Sequence, residues 1–192
     1  EGQPAYVRRA VDDLGAVIEM FTGARPEVVE VKPGTAMIAD RPGIGIGIGT
    51  ATELIEGALF REKPELGDAF AIFAEGKGTP ESAPLVSIGS YKDPAGLKFG
   101  ILALIRRLKL SPGDVRIEVP LTIEARPRIR TRSMYAHLHW AYNNPYSLRT
   151  WSLEDWKRYV DLLAHLGFNC MQMWPMMELL PHPLSKEDEA YL

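Results

Sequence analysis

The sequence predicts an α+β fold, with a helix-on-sheet domain over residues 1–127 and the start of a (β/α)8 barrel over residues 128–192. Two observations predict it. The first part combines amphipathic helical segments with short β-branched and alternating runs, which is typical of helices layered on a sheet. From Arg132 the order becomes strand, loop, helix, strand, yet a whole barrel needs about 250 residues. We therefore expect most of the barrel to lie outside this chain.

The first segment predicts an amphipathic helix that ends at Gly23, a residue suited to the left-handed turn after a helix. The apolar positions on one face of this helix are Val11, Leu14, Val17, Ile18 and Phe21. Residues 27–31 alternate and are β-branched, and a turn over residues 32–35 follows them, so we expect a strand there.

A run of alternating glycine and isoleucine occupies residues 42–50. It lacks both the GxGxxG spacing and the GKS/T ending of phosphate-binding loops. Alternation at a period of two instead predicts a strand with one bare face under a closely packed element. Ile44, Ile46 and Ile48 would then form its buried row.

The next elements complete the predicted sheet layer. Residues 69–74 and 85–90 predict two strands that pair as a hairpin, and residues 116–125 predict another. Between them, Asp93 and Pro94 mark the start of a helix, on which Gly96 and Gly100 form a smooth stripe that would let it lie close on the sheet. The apolar positions of that helix are Leu97, Ile101, Leu104, Ile105 and Leu108.

In the second part, Ser152 and Asp155 form a capping-box pattern and Gly167 predicts the end of the helix. Its predicted buried face comprises Trp156, Tyr159, Val160, Leu163 and Leu166. Because only a short turn follows, the strand over residues 168–174 should run parallel to the strand over 133–140, as in a βαβ unit.

Residues at the carboxyl ends of these two strands are the candidate ligand-binding residues, since barrels bind ligands at that end. They are His137, His139, Trp140, Asn144, Trp174 and Glu178. Aromatic rings can stack on the C–H face of a pyranose, while imidazole and amide groups bind its hydroxyls. The pattern therefore favours a carbohydrate ligand, either an oligosaccharide or a glycoside.

Three motifs carry a family resemblance. The segment YKDPAGLKFGILALIRRL fits a D-x-x-G-x-x-x-G pattern at Asp93, Gly96 and Gly100; residues 127–133 fit P-x-I-x-x-R-S; and GFN occupies residues 167–169. In this order they resemble glycoside hydrolases, namely family 20 β-N-acetylhexosaminidases and family 67 α-glucuronidases. The resemblance implies a non-catalytic α+β accessory domain before a catalytic barrel.

The resemblance also implies residue roles. Arg132 would hold sugar hydroxyls, and an Asp–Glu acid pair on the fourth barrel strand, beyond Leu192, would protonate the glycosidic oxygen and stabilise an oxocarbenium-like centre. No catalytic residue is then expected in this chain, which alone should be inactive, and no cofactor is expected. Gln172 and Trp174 depart from the histidines and acidic residues usual in the second strand of hexosaminidases.

Two alternatives remain open. His137-Leu-His139 places two histidines on one side of a strand, as in metal-dependent amidohydrolase barrels, so they could share a metal ion. The chain could also be a carbohydrate-binding module without catalysis of its own. In either case the outer edges of the two barrel strands need covering, which undetected chain or another copy in a homo-oligomer would provide.

Composition limits other partners and the location. With 46% apolar and 24% charged residues and a net charge of −3, the chain is typical of a globular protein and not of one that binds nucleic acid. No apolar run is long enough for a membrane span. The start at Glu1 fits a removed signal peptide as well as a trimmed start, so a secreted or periplasmic location stays open. Cys170, the single cysteine, lies in an apolar run that predicts burial.

Overall fold

A computed structural model of the protein describes residues 3–29, 45–50, 64–76, 84–137, 151–174 and 186. The chain divides into two compact units, Glu1–Arg130 and Thr131–Leu192. Among the helices described, none has the length and apolar character that crossing a membrane requires.

Within its described residues, the first unit has two helices and six strands. Their bounds are α1 Ala5–Thr22, β1 Gly45–Thr50, β2 Phe70–Glu75, β3 Leu85–Ser90, α2 Ala95–Ile105, β4 Lys109–Ser111, β5 Asp114–Arg116 and β6 Leu121–Ala125. A four-stranded sheet has the order β1-β3-β2-β6, in which β1 is parallel to β3 and the other neighbours are antiparallel. Strands β4 and β5 form a separate antiparallel hairpin.

Helix α1 confirms the first predicted element. Gly23 adopts φ 76°, and its N–H donates to the carbonyl of Glu19 as a left-handed cap should. The deepest part of its apolar face lies earlier than the sequence predicted, at Val7, Ala10 and Leu14. The remaining predicted positions are half-buried. The N–H of Gly113, in the β4–β5 turn, donates to the carbonyl of Phe21 and ties the hairpin to the end of this helix.

Two strand predictions need correction. Residues 27–29 are irregular, and Val28 and Val29 are 66% and 63% exposed, while residues 30 and 31 lie outside the described residues. β-branching without a pairing partner therefore did not suffice for a strand. The predicted strand over 116–125 is divided between β5 and β6, because Pro120 has no N–H to donate to a ladder at the division.

The glycine-isoleucine run does form a strand. In β1, Ile46 is in register with Val86 of β3, and Ile48 with Ile88. The two isoleucines are half-buried because β1 is the edge strand of the sheet, while Val86 and Ile88 on its inner neighbour are fully buried. Ile44 lies outside the described residues. The expected hairpin-like pair is also present, as β2 and β3.

Helix α2 lies in van der Waals contact with the sheet, and its two glycines make this approach possible. A Cβ atom added at Gly96 would lie 2.7 Å from the carbonyl oxygen of Ala69 and 2.8 Å from the Cβ of Ser90. One added at Gly100 would lie 2.5 Å from the Cγ2 of Ile88. The predicted smooth stripe is thus confirmed, and the carboxylate of Asp93 caps the helix by accepting from the N–H of Ala95 at 2.8 Å.

The core of the first unit lies between this sheet and the two helices. Helix α1 packs on α2, which in turn packs on β2 and β3, so α2 is buried on nearly every side. The large side chains that are fully buried include Val7, Ile72, Val86, Ile88, Leu97, Ile101 and Leu104. They come from α1, α2 and the two central strands, which makes the helix-on-sheet layer one continuous core.

The second unit contains β7 (Ser133–His137), α3 (Leu153–His165) and β8 (Cys170–Trp174). Strands β7 and β8 are parallel neighbours, as the sequence predicted. The protein therefore mixes helix and sheet in both units, which agrees with the predicted α+β class. That this β-α-β segment opens a barrel stays a prediction.

Replacing Gly96 by alanine should destabilise the protein by about 1–3 kcal/mol, because the added methyl meets the main-chain oxygen of Ala69 and overpacks the helix against the sheet. Urea unfolding of the whole chain measures the change in free energy. The matched control is Gly15→Ala in α1, where the nearest atoms would be at an ordinary 3.7 Å. This control should gain about 0.5–1 kcal/mol from helix propensity. Equal effects of the two substitutions would contradict the close-packing argument.

Candidate functional site

The start of α3 is fixed by a reciprocal cap. The Ser152 hydroxyl accepts from the N–H of Asp155 at 3.2 Å, and the Asp155 carboxylate accepts from the N–H and the hydroxyl of Ser152 at 3.0 and 2.6 Å. Trp151 adds an aromatic anchor, since its ring meets those of Trp156 and Tyr159 edge-on, with centroids 5.1 Å apart in each pair. The predicted capping box is confirmed.

These hydrogen bonds stabilise the ionised form of Asp155. The Ser152 side chain and backbone lower the pKa of that carboxyl, with a smaller contribution from the Arg158 guanidinium. A negative charge at this end of the helix also suits the helix dipole.

The end of α3 returns the chain to the sheet through a left-handed glycine. Gly167 has φ 91°, its N–H donates to the carbonyl of Ala164, and the N–H of Phe168 donates to the carbonyl of Leu163. This geometry confirms the predicted stop. It leaves only a short link before β8 begins at Cys170.

A polar clamp joins the amino-terminal ends of β7 and β8. The Asn169 side-chain oxygen accepts from the N–H of Arg132 at 2.8 Å, and the N–H of Asn169 donates to the Arg132 carbonyl at 3.0 Å. The Nε of Arg132 donates to the Gly167 carbonyl at 2.8 Å. Since these bonds precede the strand ladder, the clamp sets which residues of the two strands face each other.

The resulting register brings two predicted site residues together. His137 of β7 is the register partner of Trp174 of β8, and both stand at the carboxyl ends of parallel strands. Neighbouring strands lie about 4.8 Å apart, so the two backbones can present groups to the same ligand. This is the candidate site.

The other predicted site residues lie away from this pair or outside the described residues. Arg132 lies before β7, so the length of a five-residue strand, about 16 Å, separates it from His137. The structure does not bring it to the candidate site, and its implied contact with sugar hydroxyls stays a prediction. The remaining predicted residues, His139, Trp140, Asn144 and Glu178, lie outside the described residues.

Burial alternates along β7 but not along β8. On β7, Ser133 and Tyr135 are exposed whereas Ala136 is buried. On β8, Cys170, Gln172 and also Met173 are exposed. The register pairs Ser133 with Cys170 and Tyr135 with Gln172. The face that carries Ser133, Tyr135, Cys170 and Gln172 is exposed and offers hydroxyl, amide and thiol groups, while the opposite face is covered at Ala136 but not at Met173. The expected burial of Cys170 is wrong, because it lies on the exposed face beside Ser133.

Helix α3 has an apolar arc wider than its contact. Leu163 is buried, but Val160 and Leu166, which were also predicted to be buried, are 45% and 64% exposed. Leu153 and Leu162 are exposed as well. At 100° per residue, these residues flank Leu163 on both sides and the arc spans about half of the helix circumference. A helix that packs on one sheet alone needs only the centre of this arc.

Sequence reasoning missed three residues that the structure brings out. Asn169 appeared only as part of the GFN motif, although its side chain holds the strand register. Tyr135 and Gln172 were not predicted as site residues, yet the period-two alternation that predicted the strands would have placed positions 135, 137, 172 and 174 on one face.

The described residues do not add ligands to the predicted His137–His139 metal site. The described ranges contain no cluster of three or more His, Cys, Asp or Glu side chains arranged to hold a metal ion. Because His139 lies outside those ranges, the His137–His139 alternative is untested and stays a prediction.

No family model matches the sequence, and no curated protein matches it. Solved structures do match. The fold is similar to that of a glycoside hydrolase family 20 β-N-acetylglucosaminidase, with a TM-score of 0.52 and 20% sequence identity over 90% of this chain. The chain spans only 25% of the length of that solved structure. At this identity the likeness concerns the fold alone.

Removing the Ser152 hydroxyl should raise the pKa of Asp155 toward its ordinary value, near 4, because that hydrogen bond is the largest cause of the lowered pKa. A carboxyl with a lowered folded pKa stabilises the protein above its unfolded pKa, and this contribution is lost as the pH falls through the folded pKa. Ser152→Ala should therefore flatten the loss of stability below about pH 4. Carboxyl NMR titration measures the shift, and Ser152→Thr, which keeps a hydroxyl, should retain the low pKa.

Replacing Asn169 by alanine should cost about 1 kcal/mol of unfolding free energy, because the N–H of Arg132 loses its acceptor. Asn169→Asp keeps an oxygen at that position and should retain most of the stability. Hydrogen exchange of the Arg132 amide, measured with urea unfolding, should accelerate in the alanine variant only. Similar losses and similar exchange in both variants would show that the clamp does not depend on this oxygen.

Proposed function

We propose that this chain is the amino-terminal part of a glycoside hydrolase. Residues 1–127 would form its accessory α+β domain, and residues 128–192 would supply the first βαβ unit of a (β/α)8 catalytic barrel. The observation that carries the proposal is the likeness to a family 20 enzyme over 90% of this chain, which is more than either compact unit contains. The three sequence motifs that resemble glycoside hydrolases agree with this proposal.

The geometry of the second unit supports the barrel. In a (β/α)8 barrel each helix packs on the strands through its centre and on two neighbouring helices through its flanks. Helix α3 has two exposed apolar flanks, which fit contact with a neighbouring helix on each side. Leu153 and Val160 lie on one flank, and Leu162 and Leu166 lie on the other. Parallel pairing of β7 and β8 fits a barrel too, since parallel sheets are normally covered on both faces.

The candidate site supports a sugar as the ligand. His137 and Trp174 are register partners at the ends of parallel strands, and barrels bind their substrates at such strand ends. An indole ring offers a flat apolar surface for the C–H face of a pyranose, and an imidazole can donate to or accept from a hydroxyl. Their role would be to bind and orient the sugar.

Hydrolysis itself would need two carboxyl groups, one to protonate the leaving oxygen and one to stabilise or attack the anomeric centre. In the proposed enzyme this pair lies beyond the present chain. The residues at the ends of β7 and β8 would raise the rate by fixing the glycoside relative to that pair. The 192-residue chain alone should therefore release no p-nitrophenol from aryl glycosides.

Replacing Trp174 by alanine in the intact protein should lower kcat/KM for its best p-nitrophenyl glycoside by about tenfold or more, because the stacking surface is lost. The substrate panel would begin with p-nitrophenyl N-acetyl-β-D-glucosaminide, because the structural neighbour is a β-N-acetylglucosaminidase. Met173→Leu is the matched control: it lies one residue earlier on the other face of the strand, keeps its volume and should leave the rate unchanged.

Three results would count against the proposal. The intact, folded protein could hydrolyse no member of the panel, or Trp174→Ala could act as fast as Met173→Leu. Clear turnover by the 192-residue chain would also contradict it, since the acid pair would then lie inside this sequence.

A further inference from the structure

The strand ladder alone does not fix the register of β7 and β8. Bonds in a parallel ladder are evenly spaced, so shifting one strand by two residues restores the ladder and keeps each side chain on its face. The sequence of β8 does little to oppose such a shift, because Met171 and Met173 occupy alternate positions. The shift would place Met171 opposite Ala136, where Met173 stands in the structure. One methionine would thus replace another.

The candidate site, in contrast, depends on this register. In the structure Trp174 is the register partner of His137. After the same two-residue shift, Gln172 would lie opposite His137, and the backbone of Trp174 would stand about 6.6 Å farther along the strand. A carboxamide offers none of the broad apolar surface of an indole ring. A contact that selects one register therefore also selects the composition of the site.

The clamp between Arg132 and Asn169 supplies that selection. The Arg132 N–H donates to the side-chain oxygen of Asn169 at 2.8 Å, and the Arg132 carbonyl accepts from the N–H groups of Asn169 and Cys170 at 3.0 and 3.2 Å. Shifted by two residues in either direction, β8 would bring Gly167 or Met171 to the place of Asn169. Neither residue carries an amide oxygen, so the side-chain bond forms in the observed register and not in these two.

The clamp also ties this register to the end of α3. The Nε of Arg132 donates to the carbonyl of Gly167 at 2.8 Å, and Gly167 is the left-handed residue that follows the helix. Bonds to Arg132 thus hold both the turn after the helix and the start of β8. Strand β8 begins directly after the clamp, at Cys170, and ends at Trp174, so the clamp also sets where Trp174 stands along β7.

We propose that Asn169 is a positioning residue for the reaction, because its clamp to Arg132 keeps Trp174 opposite His137. This inference rests on the function proposed above and adds a residue at the far end of the strands. Asn169 would not touch the sugar, since the length of β8 separates it from the ligand end. It would act through Trp174, whose ring must lie where the pyranose binds. Displacement of a positioning group by about 1 Å can already lower a rate strongly.

A double-mutant cycle in the intact protein tests this assignment. Hydrolysis of p-nitrophenyl N-acetyl-β-D-glucosaminide would be measured for the wild type, Asn169→Ala, Trp174→Ala and the double variant. Asn169→Ala should raise KM and lower kcat/KM by about fivefold or more. In the Trp174→Ala background the same substitution should change kcat/KM by about twofold or less, because the group that Asn169 positions is already gone. Equal effects of Asn169→Ala in both backgrounds would overturn the inference.

Two controls separate positioning from a general loss of stability. Asn169→Asp keeps the accepting oxygen and should retain kcat/KM within about twofold. Gly96→Ala weakens the first unit through its core, so it lowers stability without touching the clamp and should leave KM unchanged. Thermal unfolding confirms that each variant is folded at the assay temperature. If Asn169→Ala is not folded, the milder Asn169→Ser, whose side chain is one atom shorter, takes its place in the cycle.

The outcomes distinguish this inference from the proposed function. A folded Asn169→Ala variant with the wild-type KM would overturn the inference alone, provided that Trp174→Ala is impaired. A Gly96→Ala variant whose KM rises as much as that of Asn169→Ala would do the same, since the effect would then follow stability. A folded wild type that hydrolyses no glycoside of the panel, or a Trp174→Ala variant with wild-type rates, would overturn both.

Discussion

The first unit depends on one steric constraint, the close approach of α2 to the sheet at two glycines. At Gly96 the space for a side chain is already occupied by main chain of the segment before β2, and at Gly100 by a methyl group of β3. This approach lets Leu97, Ile101 and Leu104 become fully buried between the sheet and α1. A helix standing farther from the sheet would leave a gap that side chains of this size could not fill, and packing gaps are costly in a core.

The second unit depends on polar contacts rather than on steric ones. Its core within the described residues is thin, with Ala136 and Leu163 as the buried apolar side chains. The structure of this unit therefore depends largely on three local features: the capping box, the left-handed glycine and the Arg132–Asn169 clamp. These contacts act locally, since each spans a turn or joins two strand ends. They fix the strand register without a large core, and a one-residue shift of that register would exchange the two faces of the sheet.

Elements with a local physical cause could be predicted from the sequence. Gly23, Ser152 and Gly167 each satisfy free backbone groups at a helix end through contacts within a few residues. Such helix ends can therefore be predicted from the local sequence without knowledge of the fold. The predicted strand over 27–31 is wrong at its described residues, 27–29, because pairing is non-local and propensity alone does not supply a partner. Burial of Cys170 failed for a related reason: alternation fixes which residues share a face, but only tertiary structure decides which face is covered. In the site, the βαβ pattern predicted that His137 and Trp174 lie toward the same end of parallel strands, whereas their pairing and the clamp by Asn169 required the actual register.

In the second unit, the contacts that hold the strand register and the residues of the candidate site lie at opposite ends of one strand pair. The clamp at Arg132 and Asn169 stands at the amino-terminal ends, and His137 and Trp174 stand at the carboxyl ends. In barrel enzymes the first end maintains the fold and the second carries the chemistry, because loops at the carboxyl ends can vary without disturbing the ladder. A fold can therefore persist at low sequence identity while its ligand changes. In the proposed enzyme, the residues that decide the ligand would lie toward the carboxyl ends of β7 and β8, away from the clamp.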